Sequence, residues 1–263
     1  MNYDYDDAHL AAIYDHDNPS GDDHAFYRAL VDELGARTVV DLGCGTGLLT
    51  AQLVDPGNAK SVGESGQSVL ARRVVGIDPA QAMLDVARSQ QHGDQVEWVC
   101  GTSAALRRLD LRADLVLMTG NVAMHILGEE WLATLRDVAQ ALAPGGTLAF
   151  ETRNPEARAW LEWNGAETVR DTPIGPLKET WRTDPPDSAG VVTMHLENLF
   201  LADGYDASFT QRLQFRSFDQ VVGDLRCAGL ELVACYRDWE RTPFTGGKDQ
   251  RLMVFVAQRP LDE

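Results

Sequence analysis

Short apolar runs recur along the first 151 residues, and segments with helical spacing lie between them. Each run ends at a polar residue or a glycine, which is typical of strands that are buried on both faces of a sheet. The predicted strands are the run entered at Val39, then Arg73–Ile77, Val96–Cys100, Asp114–Met118 and Thr147–Glu151. This alternation of strand and helix over Thr38–Glu151 predicts a doubly wound, parallel α/β sheet.

The rest of the chain follows a different pattern. Residues 167–215 hold short β-rich runs separated by turn residues such as Asp184-Pro185-Pro186, which predicts an antiparallel insertion. Ser217–Gly229 is predicted to be a helix, because Ser217 and Gln220 have the spacing of a capping box. Leu230–Arg237 and Arg251–Ala257 are the last two predicted strands.

Three divisions of the chain follow from these patterns. They are an N-terminal segment at 1–24, an α/β domain at 25–165 and 216–263, and an antiparallel β insertion at 166–215. Within the domain, Ala25–Leu34 is predicted as a helix whose apolar face holds Phe26, Ala29, Leu30 and Leu34. Leu48–Val54 is predicted as a second helix, and the aperiodic stretch 55–67 as a loop.

Charge and composition narrow the classes of partner. Among 263 residues, 23 Lys and Arg face 40 Asp and Glu, giving a net charge of −17, which disfavours nucleic acid. No apolar run reaches the ~18–20 residues of a membrane helix, and the first residues lack a signal-peptide pattern. The four cysteines lack C-x-x-C pairing and the six histidines lack metal-ligand spacing. We therefore expect a cytoplasmic protein with free thiols, no bound metal and no membrane partner.

A glycine turn follows the first strand. Asp41 precedes Gly43, Gly45 and Gly47, and an apolar, helix-forming stretch leaves the turn. Glycines permit backbone angles that side chains forbid and let a ligand approach the main chain closely. A dinucleotide site has the spacing G-x-G-x-x-G, whereas the spacing here is G-x-G-x-G.

The pattern D-x-G-x-G-x-G from Asp41 to Gly47 resembles motif I of the class I S-adenosylmethionine-dependent methyltransferases. Val74-Val75-Gly76-Ile77-Asp78, with Met83-Leu84, resembles motif II, and Leu142–Gly146 matches the L-x-P-G-G turn. The similarity is to the small-molecule, bacterial type 11 and 25 groups. It implies a seven-stranded, mostly parallel Rossmann-like sheet, S-adenosylmethionine as cofactor and S-adenosylhomocysteine as product. The insertion carries no motif of the family.

The resemblance also implies which residues bind the cofactor. Asp41, Gly43, Cys44 and Gly45 would lie at its methionine part, with Thr119 and Gly120 from the fourth strand end. Asp78, with Pro79 and Met83 nearby, would accept hydrogen bonds from the ribose hydroxyls. Thr102 and Ser103 stand where relatives place an acidic residue that contacts adenine. An alternative for Asp78 is that it only caps the helix after it.

The acceptor half of the site is less defined by sequence. Methyl transfer is an in-line displacement that needs position and water exclusion more than a fixed catalytic triplet. His125 is the candidate base, and Tyr14, Asn121, Glu151 and Arg153 are the candidate acceptor contacts. The alternatives are a structural His125, a solvated loop at Glu151 and a partly mobile N-terminus in place of a lid.

The expected function is methyl transfer to a nitrogen or oxygen of a small molecule. The rival hypotheses are a non-catalytic cofactor-binding protein on the same fold and a nucleotide-dependent oxidoreductase. We expect the N-terminal segment and the insertion to cover the cavity, and a role for the insertion in oligomer contacts is the alternative. The sequence leaves open the acceptor's identity.

Overall fold

The apolar runs form one seven-stranded sheet in the computed structural model, which describes residues 5–54 and 72–262. The strands are β1 Thr38–Leu42, β2 Arg73–Asp78, β3 Glu97–Cys100, β4 Ala113–Met118, β5 Leu142–Arg153, β11 Glu231–Tyr236 and β12 Leu252–Gln258. Their order is β11-β12-β5-β4-β1-β2-β3. Strands β1 to β5 pair in parallel, and β12 runs antiparallel to both β5 and β11. The predicted fold class is confirmed.

Both faces of this sheet are covered, which explains why its strands read as continuous apolar runs. Alternate residues of β1 enter opposite clusters, since Val40 packs in one core and Val39 in the other. The first core includes Trp131, Leu135 and Leu225 from two helices. The second includes helix residues Phe26, Tyr27, Leu30 and Val31. The sheet is therefore the rigid layer that carries the loops at its strand ends.

Six helices are found in the described residues. They are α1 Ala8–Asp17, α2 Asp22–Glu33, α3 Gln81–Ala87, α4 Val122–His125, α5 Gly128–Ala141 and α6 Phe218–Cys227. The capping box at Ser217 and Gln220 is present at the start of α6. Two predictions are wrong. Leu48–Val54 holds only a short 3₁₀ helix at Thr50–Leu53, and α2 buries Tyr27 and Val31 rather than Ala29 and Leu34.

The second sheet is antiparallel and comes from the predicted insertion. Its strands are β6 Gly165–Thr172, β7 Gly175–Thr183, β8 Val191–Phe200, β9 Tyr205–Asp206 and β10 Phe209–Gln214. The order is β10-β8-β7-β6, and β9 pairs with β8. Short 3₁₀ turns at Pro155–Ala157 and Ala159–Glu162 connect it to β5.

The N-terminal segment forms a helix, α1, which the polar sequence did not predict. Asp7 caps it by accepting from the backbone N–H groups of His9 and Leu10 at 2.9 and 3.0 Å. Asp17 accepts two hydrogen bonds from Arg170 of β6, at 2.8 and 2.7 Å. At the same end, Asp15 accepts from the Thr46 hydroxyl of the glycine turn. Helix α1 thus bridges the insertion and the main sheet.

Some of the predictions concern residues outside the ranges that the structure describes. The predicted loop at 55–67 and the first four residues of the N-terminal segment lie outside them. Within the part of the chain that is described, no helix is long and apolar enough to cross a membrane.

Candidate active site

A cavity of about 390 Å³ lies beyond the carboxyl ends of β1, β2 and β4, where open α/β sheets bind their ligands. Eleven of the predicted site residues line it: Tyr14, Gly43, Gly45, Asp78, Pro79, Met83, Thr102, Ser103, Thr119, Gly120 and His125. Asp41, Cys44, Asn121, Glu151 and Arg153 are outside this lining. A second cavity, bordered by Arg28, Arg72 and His92, contains none of the predicted residues.

The glycine turn is fixed by the neighbouring strand and by close packing. The backbone N–H groups of Gly43 and Cys44 donate to the Ile77 carbonyl at 2.7 and 3.1 Å. Gly43 has φ +79°, and a Cβ there would lie 2.4 Å from a methyl carbon of Val122. A larger residue at Gly43 is therefore excluded twice, by backbone strain and by collision. Cys44 is not among the lining residues, and desolvation raises the pKa of its thiol.

Asp78 connects the glycine turn to the start of α3. Its Oδ2 accepts from the Gly45 N–H at 2.9 Å, and its Oδ1 accepts from the Ala80 N–H at 2.8 Å. Burial raises the pKa of this carboxyl, and the two backbone hydrogen bonds oppose that rise. Each carboxylate oxygen accepts more than one hydrogen bond, so both can also receive donors from a ligand. The N-cap of α3 is Ala80, without a side-chain cap, so Asp78 holds the backbone that precedes the helix, and this role is compatible with ligand binding.

Two buried acceptor oxygens lack a protein partner among the described residues. Asp41 Oδ2 accepts from the Thr50 hydroxyl at 2.6 Å, whereas Asp41 Oδ1 and Asn121 Oδ1 have no hydrogen bond. Burial raises the pKa of Asp41 to about 6. Asp41 lies on β1 and Asn121 follows the adjacent strand β4. An unpaired buried acceptor costs free energy, so these two oxygens call for donors that the described residues do not supply.

Glu151 occupies a place that sequence reasoning did not foresee. Its carboxylate is 2% exposed and accepts from the Tyr27 hydroxyl and from the Asn121 backbone N–H. Burial raises the pKa of Glu151 to about 7. Asn121 has φ 62°, a left-handed backbone that is uncommon outside glycine. Glu151 lies outside the cavity lining and its oxygens accept from neighbouring protein groups, so its role as an acceptor contact stays a prediction. Arg153 is likewise outside the cavity lining.

One part of the cavity lining is aromatic, and it holds the two residues predicted to face the acceptor. Tyr14 and His125 line it together with Tyr5, which sequence reasoning did not single out. The ring of Tyr5 lies 5.8 Å from Tyr14 and 6.0 Å from His125, centroid to centroid. Burial lowers the pKa of His125 to about 4, so its imidazole is neutral near pH 7. Burial also raises the pKa of the Tyr14 hydroxyl, with neighbouring Tyr5 and Asp78 adding to the rise.

Another part of the lining comes from the turn after β3 and from helix α5. Ser103 Oγ donates to Asp137 at 2.9 Å, and Arg107 donates to the same carboxylate at 2.6 and 3.1 Å. Arg107, Glu130, Thr134 and Asp137 all line the cavity. Sequence reasoning missed Arg107 because no motif marks it in the turn after β3, and it missed the other three because α5 read as a core helix with no motif.

Comparisons with known proteins find methyltransferases among the proteins similar to this chain. Residues 39–146 match a family described as a methyltransferase domain. Over 229 residues the chain is 28% identical to the cypemycin N-terminal methyltransferase of a Streptomyces species, covering 86% of this chain and 85% of that protein. The CcbJ methyltransferase from Streptomyces caelestis is 26% identical, with a TM-score of 0.73 over 99% of both chains. An S-adenosylmethionine-dependent methyltransferase from Clostridium acetobutylicum shares the fold at 15% identity, with a TM-score of 0.73 over 96% of this chain and 98% of that one.

The fold is Rossmann-like, and residues 39–146 match a methyltransferase domain. The resemblance to S-adenosylmethionine-dependent methyltransferases carried by Asp41–Gly47 and Asp78 is confirmed, and the activity that the comparisons support is S-adenosylmethionine-dependent methyl transfer. The proteins named above are all methyltransferases, so an oxidoreductase finds no support among them.

Proposed function

We propose that this protein methylates an amine or hydroxyl group of a small molecule, with S-adenosylmethionine as the donor. The observation that carries the proposal is one cavity lined both by Asp78 with the glycine turn and by the polar rings of Tyr14 and the neutral His125. Tyr14 lies against the glycine turn, since a Cβ at Gly45 would be 3.8 Å from its ring. The carboxylate and the turn suit a ribose and an amino-acid group, and the polar rings suit a polar nucleophile beside them.

The residues present fit the cofactor. Asp78 has acceptor capacity left for two ribose hydroxyls. The unpaired Oδ1 atoms of Asp41 and Asn121 are acceptors that suit an ammonium group, which has three donors and no acceptor. When bound, the cofactor supplies a methyl group on a positively charged sulfur, and the leaving group needs no further activation.

The chain's own residues then orient the acceptor and exclude water. A neutral His125 accepts a hydrogen bond from an N–H or O–H group, which turns the lone pair of that atom toward the methyl position. The Tyr14 hydroxyl stays protonated near pH 7 and therefore donates. We infer that helix α1 and the insertion cover this end, because α1 carries Tyr14 and its Asp17 pairs with Arg170.

An amine is the acceptor that the charges favour. Three carboxylates line the cavity, those of Asp78, Glu130 and Asp137, and Arg107 is the cation that pairs with Asp137. With the chain's net charge of −17, this lining attracts a basic group and repels an anionic one. The name of the cypemycin N-terminal methyltransferase refers to an N-terminus, which is an amine, and this supports the same choice.

Calorimetry with the full chain tests the cofactor half of this proposal. Asp78→Ala is expected to weaken S-adenosylhomocysteine binding by about 1.5–3 kcal/mol, roughly 10- to 150-fold, because hydrogen bonds to a charged group are lost. Asp85→Ala is the matched control, since Asp85 lies on α3 with its side chain 66% exposed. An unchanged dissociation constant in the Asp78 variant would mean that Asp78 only holds the backbone N–H groups of Gly45 and Ala80.

A turnover assay tests the acceptor half. S-adenosylhomocysteine release is measured with matched small amines, alcohols and carboxylic acids. Release is expected with amines first and alcohols second. Turnover confined to carboxylic acids would contradict the assignment of the acceptor end.

A further inference from the structure

An apolar row crosses the insertion sheet. Trp181 of β7 pairs directly with Leu196 of β8, and Leu196 pairs directly with Phe209 of β10. Directly paired residues point to the same face of a sheet, so the three side chains form one strip, here called the Trp181–Phe209 strip. All three are only partly buried.

The strip lies between two parts of the same face that are covered. On one side, Leu177 and Phe200 pack against Ile13 of α1. On the other side, Val192 and Leu213 pack with Trp160. The alternate residues of these strands are polar or charged, for example Lys178, Arg182 and Glu197. The strip is therefore a partly open apolar band on the inner face of the insertion.

The strip is continuous with the cavity. The Phe209 ring lies 5.9 Å from Tyr5, and Tyr5 lies 6.0 Å from His125. Gln211, two residues after Phe209 on the same strand, donates to the Tyr5 hydroxyl at 2.6 Å. Tyr5 thus joins the end of the strip to the acceptor end of the cavity.

The cavity is small for two ligands. Its volume of about 390 Å³ is near the lower end of the ~300–1,000 Å³ that is usual for small-molecule pockets. A cofactor and an acceptor would share this volume, and the Trp181–Phe209 strip is an apolar surface that adjoins Tyr5 of the cavity lining.

We propose that the acceptor lies with its nucleophile at His125 and with an apolar, ring-bearing body along the Trp181–Phe209 strip. This inference rests on the proposed function and names its substrate class: an amine or alcohol attached to an aromatic or alicyclic body. Two strand spacings of ~4.8 Å give the strip a width of roughly 10 Å, which sets the length of that body. Trp181 suits this role because its ring lies over Gly165, where a Cβ would come within 2.8 Å of the indole.

A fluorescence titration tests the strip separately from the chemistry. The probe is N-phenyl-1-naphthylamine, an uncharged aromatic amine, added to the full chain saturated with S-adenosylhomocysteine. Saturable binding is expected, and Trp181→Ala and Leu196→Thr should each weaken it at least fivefold. Thr210→Ala is the matched control, because Thr210 adjoins Phe209 but is exposed and points to the other face. Trp181→Ala removes the ring that packs over Gly165 and could loosen the sheet there, so Leu196→Thr serves as a second, independent variant of the strip.

Each outcome decides the inference. No saturable binding, or equal binding by the wild type and both strip variants, would overturn it. Probe binding that disappears as the protein concentration rises would assign the strip to contact between copies of the chain, and would also overturn it. Calorimetry of S-adenosylhomocysteine on the same samples reports on the cofactor half, so a failure of the proposed function is seen separately.

Discussion

The buried carboxyl of Glu151 makes a quantitative prediction about stability and pH. Glu151 is enclosed by Tyr27 and Asn121, and burial raises its pKa to about 7 from an ordinary value of 4.5. A group whose pKa is raised on folding stabilises the protein fully below its unfolded pKa. That contribution is lost as the pH rises through the folded pKa, because the buried group must then lose its proton.

The magnitude follows from the size of the shift. A rise from 4.5 to about 7 corresponds to about 3 kcal/mol of unfolding free energy, since each pKa unit is worth ~1.4 kcal/mol. Glu151→Gln keeps a carbonyl oxygen for the Asn121 N–H and removes the titration. The wild type should therefore lose about 3 kcal/mol relative to this variant between pH 4.5 and pH 8.

Urea unfolding of both proteins at several pH values from 4.5 to 8 measures this difference. Other titrating groups, including His125, are shared by the two proteins and cancel in the comparison. A difference that stays constant to within about 0.5 kcal/mol would refute the reasoning, because Glu151 would then have the same pKa in both states. Glu151→Leu provides a second comparison, since it leaves the Tyr27 hydroxyl and the Asn121 N–H unpaired at about 1–3 kcal/mol each.

Three further predictions concern the cavity. Gly43→Ala should abolish S-adenosylhomocysteine binding in calorimetry, because of its φ of +79° and the 2.4 Å approach to Val122, and adding Val122→Ala should restore part of it; full binding by the single variant would contradict the packing argument. His125→Ala should lower kcat by about 100-fold or more. The plot of kcat against pH for the wild type should show no inflection near pH 6.5 that could be assigned to His125, because burial lowers the pKa of His125 to about 4. Deleting residues 1–16 should leave the far-ultraviolet circular dichroism of the main sheet in place but reduce turnover, because Tyr5 and Tyr14 are lost from the cavity; wild-type turnover by the truncated chain would remove the lid.

The sequence determined the features that depend on local chemistry. Apolar runs of a few residues made the strands of the parallel sheet predictable, because both faces of such strands are buried and need no polar alternation. The turn at Gly43 and the carboxylate of Asp78 were readable because each requires a particular residue type at a fixed spacing. The capping box at Ser217 and Gln220 was readable for the same reason.

Tertiary structure decided the features that depend on partners far apart in the chain. Tyr27 and Glu151 are 124 residues apart, and their hydrogen bond explains both the buried face of α2 and the position of Glu151 inside the protein. Helix α1 packs through its buried residues Ala11 and Ile13, and contacts such as that of Asp17 with Arg170, 153 residues away, hold it over the cavity. Tyr5 reaches His125 only because those contacts form. A single sequence indicates how strongly each segment favours helix, strand or turn. The pairing of distant polar groups is determined only when the sheets and helices pack together.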